Sequence, residues 1–253
     1  MSVTRALRLA VSQVVVEQRS FWRSAEYALF TVAFPLMILL LIGAANVGSV
    51  IPGTHIKNTT VFVPGILAFG VIVSAYVNLG SKVAVLRIDG VLKRIRTTPL
   101  PSAAYLGGLL ASTVITAVLI TAGLGLMGWL AFGAAPQPGG LAPLGAAACL
   151  GIVCFSGLGL AISSVITSAE SAGPVAYATF LPIAIISGVF DPTFSGLPGW
   201  LSHAVALFPV KALAQVLQCA YVARPLPALD LLNLALWTAA GWGTAVWRFR
   251  WDG

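Results

Sequence analysis

Arg87, Asp89, Lys93, Arg94 and Arg96 place five charges within ten positions of the stretch LRIDGVLKRIR, in a chain where only 8% of residues are charged. Four bases and one acid at that spacing make no nucleophile, no acid–base couple and no metal site. What they can do is hold an anionic surface or fix the register of a partner. Ile88, Val91, Leu92 and Ile95 recur at i, i+3, i+4 and i+7, one face of a short helix. Asp89 precedes Lys93 by four residues, the favourable order for a pair within one helix. Pro99 and Pro101 close the segment. The expectation is a short amphipathic helix with two open uses. It either rests on anionic lipid as an anchor, or presents an apolar face and registering charges to a partner's groove.

Other reactive residues are sparse. The acids number seven and are scattered, and the nearest approach to a site is Asp191 with His203. His55 lies far from His203 in sequence and has no metal-ligand company. Cys149, Cys154 and Cys219 form neither a disulfide framework nor a metal spacing; Cys149 and Cys154 are expected buried in an apolar span. The four lysines include none in a G-x-x-x-x-G-K-[ST] loop, so the chain is expected to bind no cofactor and to catalyse nothing by itself. The sequon Asn58-Thr59-Thr60 is read as a chance occurrence.

The elements that position these residues follow from composition. Of 253 residues 58% are hydrophobic and mean hydropathy is +0.97. A soluble domain carries about 25% charged residues, so the bilayer is the expected solvent. No Asp, Glu, Lys or Arg occurs between Arg96 and Glu170, or between Glu170 and Asp191. The first gap suffices for two crossings of about 20 residues each, the second for one. The net charge of +7 would suggest nucleic acid in a soluble protein. Here the bases flank apolar runs, and membrane topology accounts for them, with no nucleic-acid partner.

One transmembrane domain over 1–253 is therefore expected, an all-α polytopic membrane protein. Residues 1–25 read as an interfacial amphipathic helix, with apolar Leu7, Val11, Val14, Val15, Phe21 and Trp22 flanked by Arg5, Arg8, Arg19 and Arg23. Six spans are expected at about 27–46, kinked by Pro35, and at 61–81, 102–132, 142–167, 172–190 and 229–247. The 82–100 loop lies between spans two and three, and 191–228 is an apolar, proline-punctuated segment. GAAPQPGG after span three is a turn. Gly123, Gly125 and Gly128 mark close helix packing. The amino-terminal helix, the 82–96 stretch and the carboxy-terminal tail carry 11 of the 14 Lys/Arg. The positive-inside rule then puts both termini and the charged block in the cytoplasm.

LRIDGVLKRIRTTPLPSAAYLGG resembles the cytoplasmic signature of ABC-2-type transporter permeases, through Asp89, Gly90, Leu92, Lys93, Thr98 and Pro99. The family more often has Glu with Thr after the glycine, where this chain has Asp89 and Val91. ISGVFDPTFSGLPGWLSHAVALFPVKALAQVL resembles the family's segment after span five, through Ser187, Gly188, Pro192, Leu197, Pro198, Trp200 and Pro209. The resemblance covers the whole chain in span order. It implies the membrane subunit of a bacterial ABC exporter of drug- or lipid-export type, in the cell membrane. It implies a second permease copy or related chain, cytoplasmic ATP-binding subunits that hold ATP and Mg, and short re-entrant helices on the outer side within 191–228.

On this reading Asp89, Gly90, Leu92, Lys93, Arg94 and Arg96 dock the ATPase. The family lines its substrate path with spans two and five. Ser74, Tyr76, Asn78, Tyr177, Thr179 and Ser187 are the polar residues there, which either face a path or hydrogen-bond between helices. With no ionisable group mid-span, the expected cargo is hydrophobic or amphipathic, a drug- or lipid-like molecule leaving the cytoplasm, with a polysaccharide or glycolipid as the alternative. A lipid-modifying membrane enzyme and a secondary transporter are the more distant alternatives; the first lacks a catalytic cluster, the second lacks mid-bilayer charges.

Overall fold

The computed structural model describes residues 3–24, 28–50, 57–97, 102–190 and 198–248. Among them the fold is all-helical, and pairing of extended backbone is confined to an isolated bridge between Val50 and Lys57.

The first helix, α1, covers Val3–Arg23 and lies along α5, which is Ser102–Phe132. Among its described side chains Val11, Val15, Val16 and Trp22 are exposed, whereas Glu17 is buried against the bundle. The helix thus turns its apolar face outward, as an interfacial helix does when its surroundings are lipid. α2, Leu29–Ala45, begins with a π-helical turn over Leu29–Ala33 and carries Pro35 at the start of its α-helical part. A proline has no N–H to donate and its ring crowds the carbonyl four residues back; the widened turn takes up that misfit.

α3 runs without a break from Asn58 to Ile88, 31 residues with a π-helical segment at Val73–Asn78. At 1.5 Å per residue it is about 46 Å long, well beyond the roughly 30 Å hydrocarbon layer. The helix therefore continues where a loop from residue 82 was expected. Its last turns carry Lys82 and Arg87, and both find partners.

Gly90 ends α3. Its φ of 68° is left-handed, a conformation that a Cβ penalises, and its N–H bonds to the Arg87 carbonyl at 3.1 Å. This is a glycine-closed C-terminus. The chain then turns directly into α4, Val91–Arg96. Ile88 and Asp89 accordingly lie outside the helix that carries Lys93. The expected Ile88–Ile95 stripe is split between two helices, and Asp89 and Lys93 are not an intrahelical pair.

After α5 come α6, Leu141–Ser163, and α7, Ala172–Ile186. α7 stops at a Ser187-Gly188 turn, with Gly188 at φ 72°. Its 15 residues give about 22 Å, shorter than a single crossing. α8, Gly199–Ala206, and α9, Pro209–Tyr221, meet at 81°. α10 is Ala228–Arg248. By length and apolarity α3, Ala104–Phe132 of α5, and α6 can each cross a membrane, and the bent α8–α9 pair can count as one more. α2 and α7 are shorter apolar helices.

The core is built around α3, whose residues from Phe62 to Ala75 are buried on every side. α2, α5, α6 and α9 surround it. Small residues let the backbones approach. A Cβ on Gly80 would stand 2.8 Å from the Gly159 carbonyl oxygen, and one on Gly159 would stand 2.8 Å from that of Ala75. α6 and α10 cross in the same manner at Gly157 and Gly241. Of the three glycines expected to pack in α5, Gly128 meets Val63 closely, Gly125 only touches Leu67, and Gly123 faces open space. Cys154 is buried as expected, but Cys149 is exposed on α6.

Candidate functional site

Two regions of α3 gather the polar chemistry of the chain: its basic end, and the π-helical segment at mid-length.

At the basic end, Lys82 forms an ion pair with Glu17 of α1, whose side chain is 7% exposed. Gln13 donates to the other Glu17 oxygen at 2.9 Å. One residue on, the Gln18 amide donates to the Ser112 carbonyl at 2.8 Å, to the Ser112 hydroxyl at 3.0 Å and to the Thr116 hydroxyl at 2.9 Å. α1 is thereby tied to both α3 and α5. Arg87 donates to the carbonyls of Ser164, at 3.0 Å, and of Ile166, capping the open end of α6, where helix carbonyls lack partners. Ser81 donates to the Ala172 carbonyl at 3.1 Å, at the start of α7. Three elements thus grip the same two turns of α3.

Beyond Gly90, α4 buries Leu92, 1% exposed, and leaves Lys93 and Arg94 exposed with Val91 and Ile95 half-covered. Asp89 is exposed in the turn, and its backbone carbonyl accepts from Arg94 at 3.2 Å. α4 follows Arg96 into Thr97, where the description stops; the Arg96 side chain, Thr98, Pro99 and Pro101 lie outside the described residues. Of the six docking candidates the structure therefore places five in one turn-and-helix unit packed on the end of α3.

The π-helical segment carries the path candidates. Tyr76 and Thr179 share a hydroxyl–hydroxyl bond at 2.8 Å between α3 and α7. They line a cavity of about 350 Å³ with Phe155, Phe180, Phe208 and Trp237. Asn78 donates to Thr31 of α2 at 2.6 Å. Asn78 and Tyr177 line a second cavity of about 420 Å³, with Phe30, Ser81 and Glu170. The Tyr177 hydroxyl is buried without a hydrogen-bond partner among the described residues, as is the Ser187 hydroxyl. Ser74 donates to the Gly70 carbonyl of its own helix at 2.9 Å and borders a third, small hollow beside Glu17 and Lys82. The six are not brought around one space. Tyr76 with Thr179, and Asn78 with Tyr177, form two separate pairs, and Ser187 lines neither cavity.

The family model of the ABC-2 type transporter matches residues 13–220, an interval that contains both α1's polar contacts and α4. The chain belongs to the ABC-2 type transporter family. Comparison with curated proteins returns no match. As an ABC-2 membrane domain the chain is a permease component of an ABC transporter and not itself the catalytic part. Families of this kind normally work with ATP-binding subunits.

Within this permease three site residues escaped the sequence pattern. Glu17 reads as one polar residue of an interfacial helix, and nothing on that helix points to Lys82, 65 positions away. The available signal was Lys82 itself, a base at the edge of an apolar run that requires a partner where water is scarce. Arg87 reads as part of the charged block, but serves α6. Glu170 stands alone in sequence, and only the fold sets it beside Phe30, Asn78 and Ser81. For the enzyme alternative, Asp191 lies outside the described residues, and His203 is exposed on α8. Among the described residues, no group of three or more His, Cys, Asp or Glu could hold a metal ion.

Proposed function

We propose that this permease is the membrane half of an ATP-driven exporter that carries a hydrophobic or amphipathic molecule, drug- or lipid-like, out of the cytoplasm. Two such chains, or this one and a related chain, form the path. A cytoplasmic ATP-binding subunit holding ATP and Mg docks on each. The six apolar elements α2, α3, α5, α6, α7 and the α10 region serve as the spans, with the basic ends of α1, α3 and α10 toward the cytoplasm. The outer segment around α8 and α9 dips into the membrane and returns, its backbone covered by protein.

The observation that carries this reading is α4. It is a six-residue helix held by a left-handed glycine at the end of a 31-residue helix that forms the centre of the bundle. A lipid anchor needs only bases. A unit with Leu92 buried against its own chain, Lys93 and Arg94 outward and a fixed turn behind it is shaped to receive a push and pass it into α3. The same two turns of α3 are bonded to α1, α5, α6 and α7 directly or through one residue, so movement of α4 reaches all of them. The first cavity supports the cargo class: its lining is aromatic and aliphatic, with a few hydroxyls and no charge.

The test is ATP-dependent uptake of an amphipathic fluorescent dye into inside-out vesicles that contain the permease and its ATP-binding subunit. Wild-type vesicles are expected to accumulate the dye when given ATP. Gly90→Pro, whose ring fixes φ near −65° where the chain needs 68°, is expected to abolish uptake while the protein remains in the membrane. Full uptake by that variant would contradict the docking role of the Gly90 turn.

A further inference from the structure

The second cavity combines an acid with aromatic and polar walls. Glu170 is the sole Asp, Glu, Lys or Arg between Arg96 and Asp191, and the fold places it on the rim of this 420 Å³ space. Phe30 of α2 and Tyr177 of α7 supply aromatic walls, and Asn78 and Ser81 of α3 supply polar ones. Among the described residues no lysine or arginine lines it. The bases nearest in sequence on α3 are engaged elsewhere: Lys82 pairs with Glu17, and Arg87 bonds to the carbonyls of Ser164 and Ile166. Glu170 itself has no ion pair among the described residues. The Tyr177 hydroxyl is buried and has no partner among the described residues, although buried polar groups almost always have partners.

We infer that this cavity is a binding site for lipophilic organic cations. A carboxylate without a counter-ion, at the mouth of a partly enclosed space, attracts positive charge more strongly than it would in open water. Aromatic faces beside it favour the same sign of charge through their quadrupoles. The volume falls within the range of small-molecule sites, and the apolar part of the lining suits a ligand that enters from a bilayer. A small hydrated metal ion does not fit, because a single carboxylate with an amide and hydroxyls offers too few hard ligands. The inference rests on the permease reading only for its purpose, selection of cargo; binding itself needs no transport.

The experiment is equilibrium binding of radiolabelled tetraphenylphosphonium to the purified permease complex in lipid nanodiscs without nucleotide. Triphenylphosphine oxide, neutral and built from the same rings, serves as the control. Tetraphenylphosphonium is expected to bind saturably. Glu170→Gln should weaken it about fivefold, the scale of a partly exposed charge contact, and Glu170→Asp should restore most of the loss. Tyr177→Phe should weaken binding by about twofold. The neutral probe should bind Glu170→Gln and wild type alike. Absence of saturable cation binding, or equal cation affinity in Glu170→Gln and wild type, overturns the inference. A melting temperature of Glu170→Gln equal to wild type is expected from its exposed position and separates lost binding from lost fold. If cation binding depends on Glu170 but ATP drives no uptake in vesicles, the export reading fails and the site stands.

Discussion

Asn58–Ile88 and Ala104–Phe132 have the same mean hydropathy, 2.1, but 83% of the most apolar window of the first is buried inside the protein against 33% for the second. On composition the two helices are interchangeable. In the fold one is the axis of the bundle and the other is a wall. The difference lies in what their small residues meet. Gly65 of α3 faces the Val189 carbonyl so closely that a Cβ would stand 2.1 Å from the oxygen, and Gly80 faces the Gly159 backbone. Gly123 of α5 faces nothing within 4 Å. Val114, Ile115, Val118, Leu119, Leu126, Trp129 and Leu130 form an exposed face on α5, spaced as one side of a helix. Hydropathy reports that the surroundings are apolar. It cannot report whether they are lipid or protein, because a lipid tail is as apolar as a leucine.

The sharpest way to break this contrast is to add bulk to each helix. Gly65→Leu drives a side chain into a backbone carbonyl that no rotamer change can move, and should cost about 3 kcal/mol or more, seen as loss of a monodisperse peak in detergent chromatography. Gly123→Leu should leave that peak unchanged. Removing bulk gives a graded version. Leu67→Ala in the core of α3 should destabilise by about 2–5 kcal/mol, whereas Leu119→Ala on α5 should cost under about 0.5 kcal/mol; thermal melts in detergent read both.

The basic end of α3 offers a third test. Glu17→Gln leaves Lys82 without its counter-ion. Because the Lys82 side chain is 33% exposed, the loss should be about 1–2 kcal/mol, less than for a fully buried pair. Adding Lys82→Met to that variant should recover most of the loss, and melts of the single and double variants check it. Gln18→Ala should cost about 1 kcal/mol, because it loosens α1 from Ser112 and Thr116 without touching α3. No loss from Glu17→Gln beside a clear loss from Gln18→Ala would mean that α1 is held by α5 alone.

Much of the architecture was legible in the sequence. The charge-free intervals around Glu170 marked the apolar helices α5, α6 and α7, and GAAPQPGG marked the turn between the first two. The turn at Asp89-Gly90 was not legible: the spacing of Ile88, Val91, Leu92 and Ile95 reads as one helix, and a left-handed Gly90 divides it between two. Nor was the extent of α3, because Lys82 and Arg87 look like loop residues until Glu17 and the end of α6 are seen to receive them. α7 also stops short of the expected residue 190, at a Ser187-Gly188 turn. The path candidates were chosen for polarity along apolar helices. Polarity does not say which face a residue occupies, so they separated into Tyr76 with Thr179 and Asn78 with Tyr177. What the sequence hid was contact between distant segments, and the cavity around Glu170 exists only through such contact.

The central claim is that α4 transmits force from an ATP-binding subunit into α3. Its most direct test is affinity purification of the tagged permease from native membranes in mild detergent, with quantitative mass spectrometry of what accompanies it. A stoichiometric ATP-binding subunit that disappears when residues 89–96 are replaced by a flexible linker is the predicted result. A permease that emerges without such a subunit, or that keeps it after the replacement, would contradict the account.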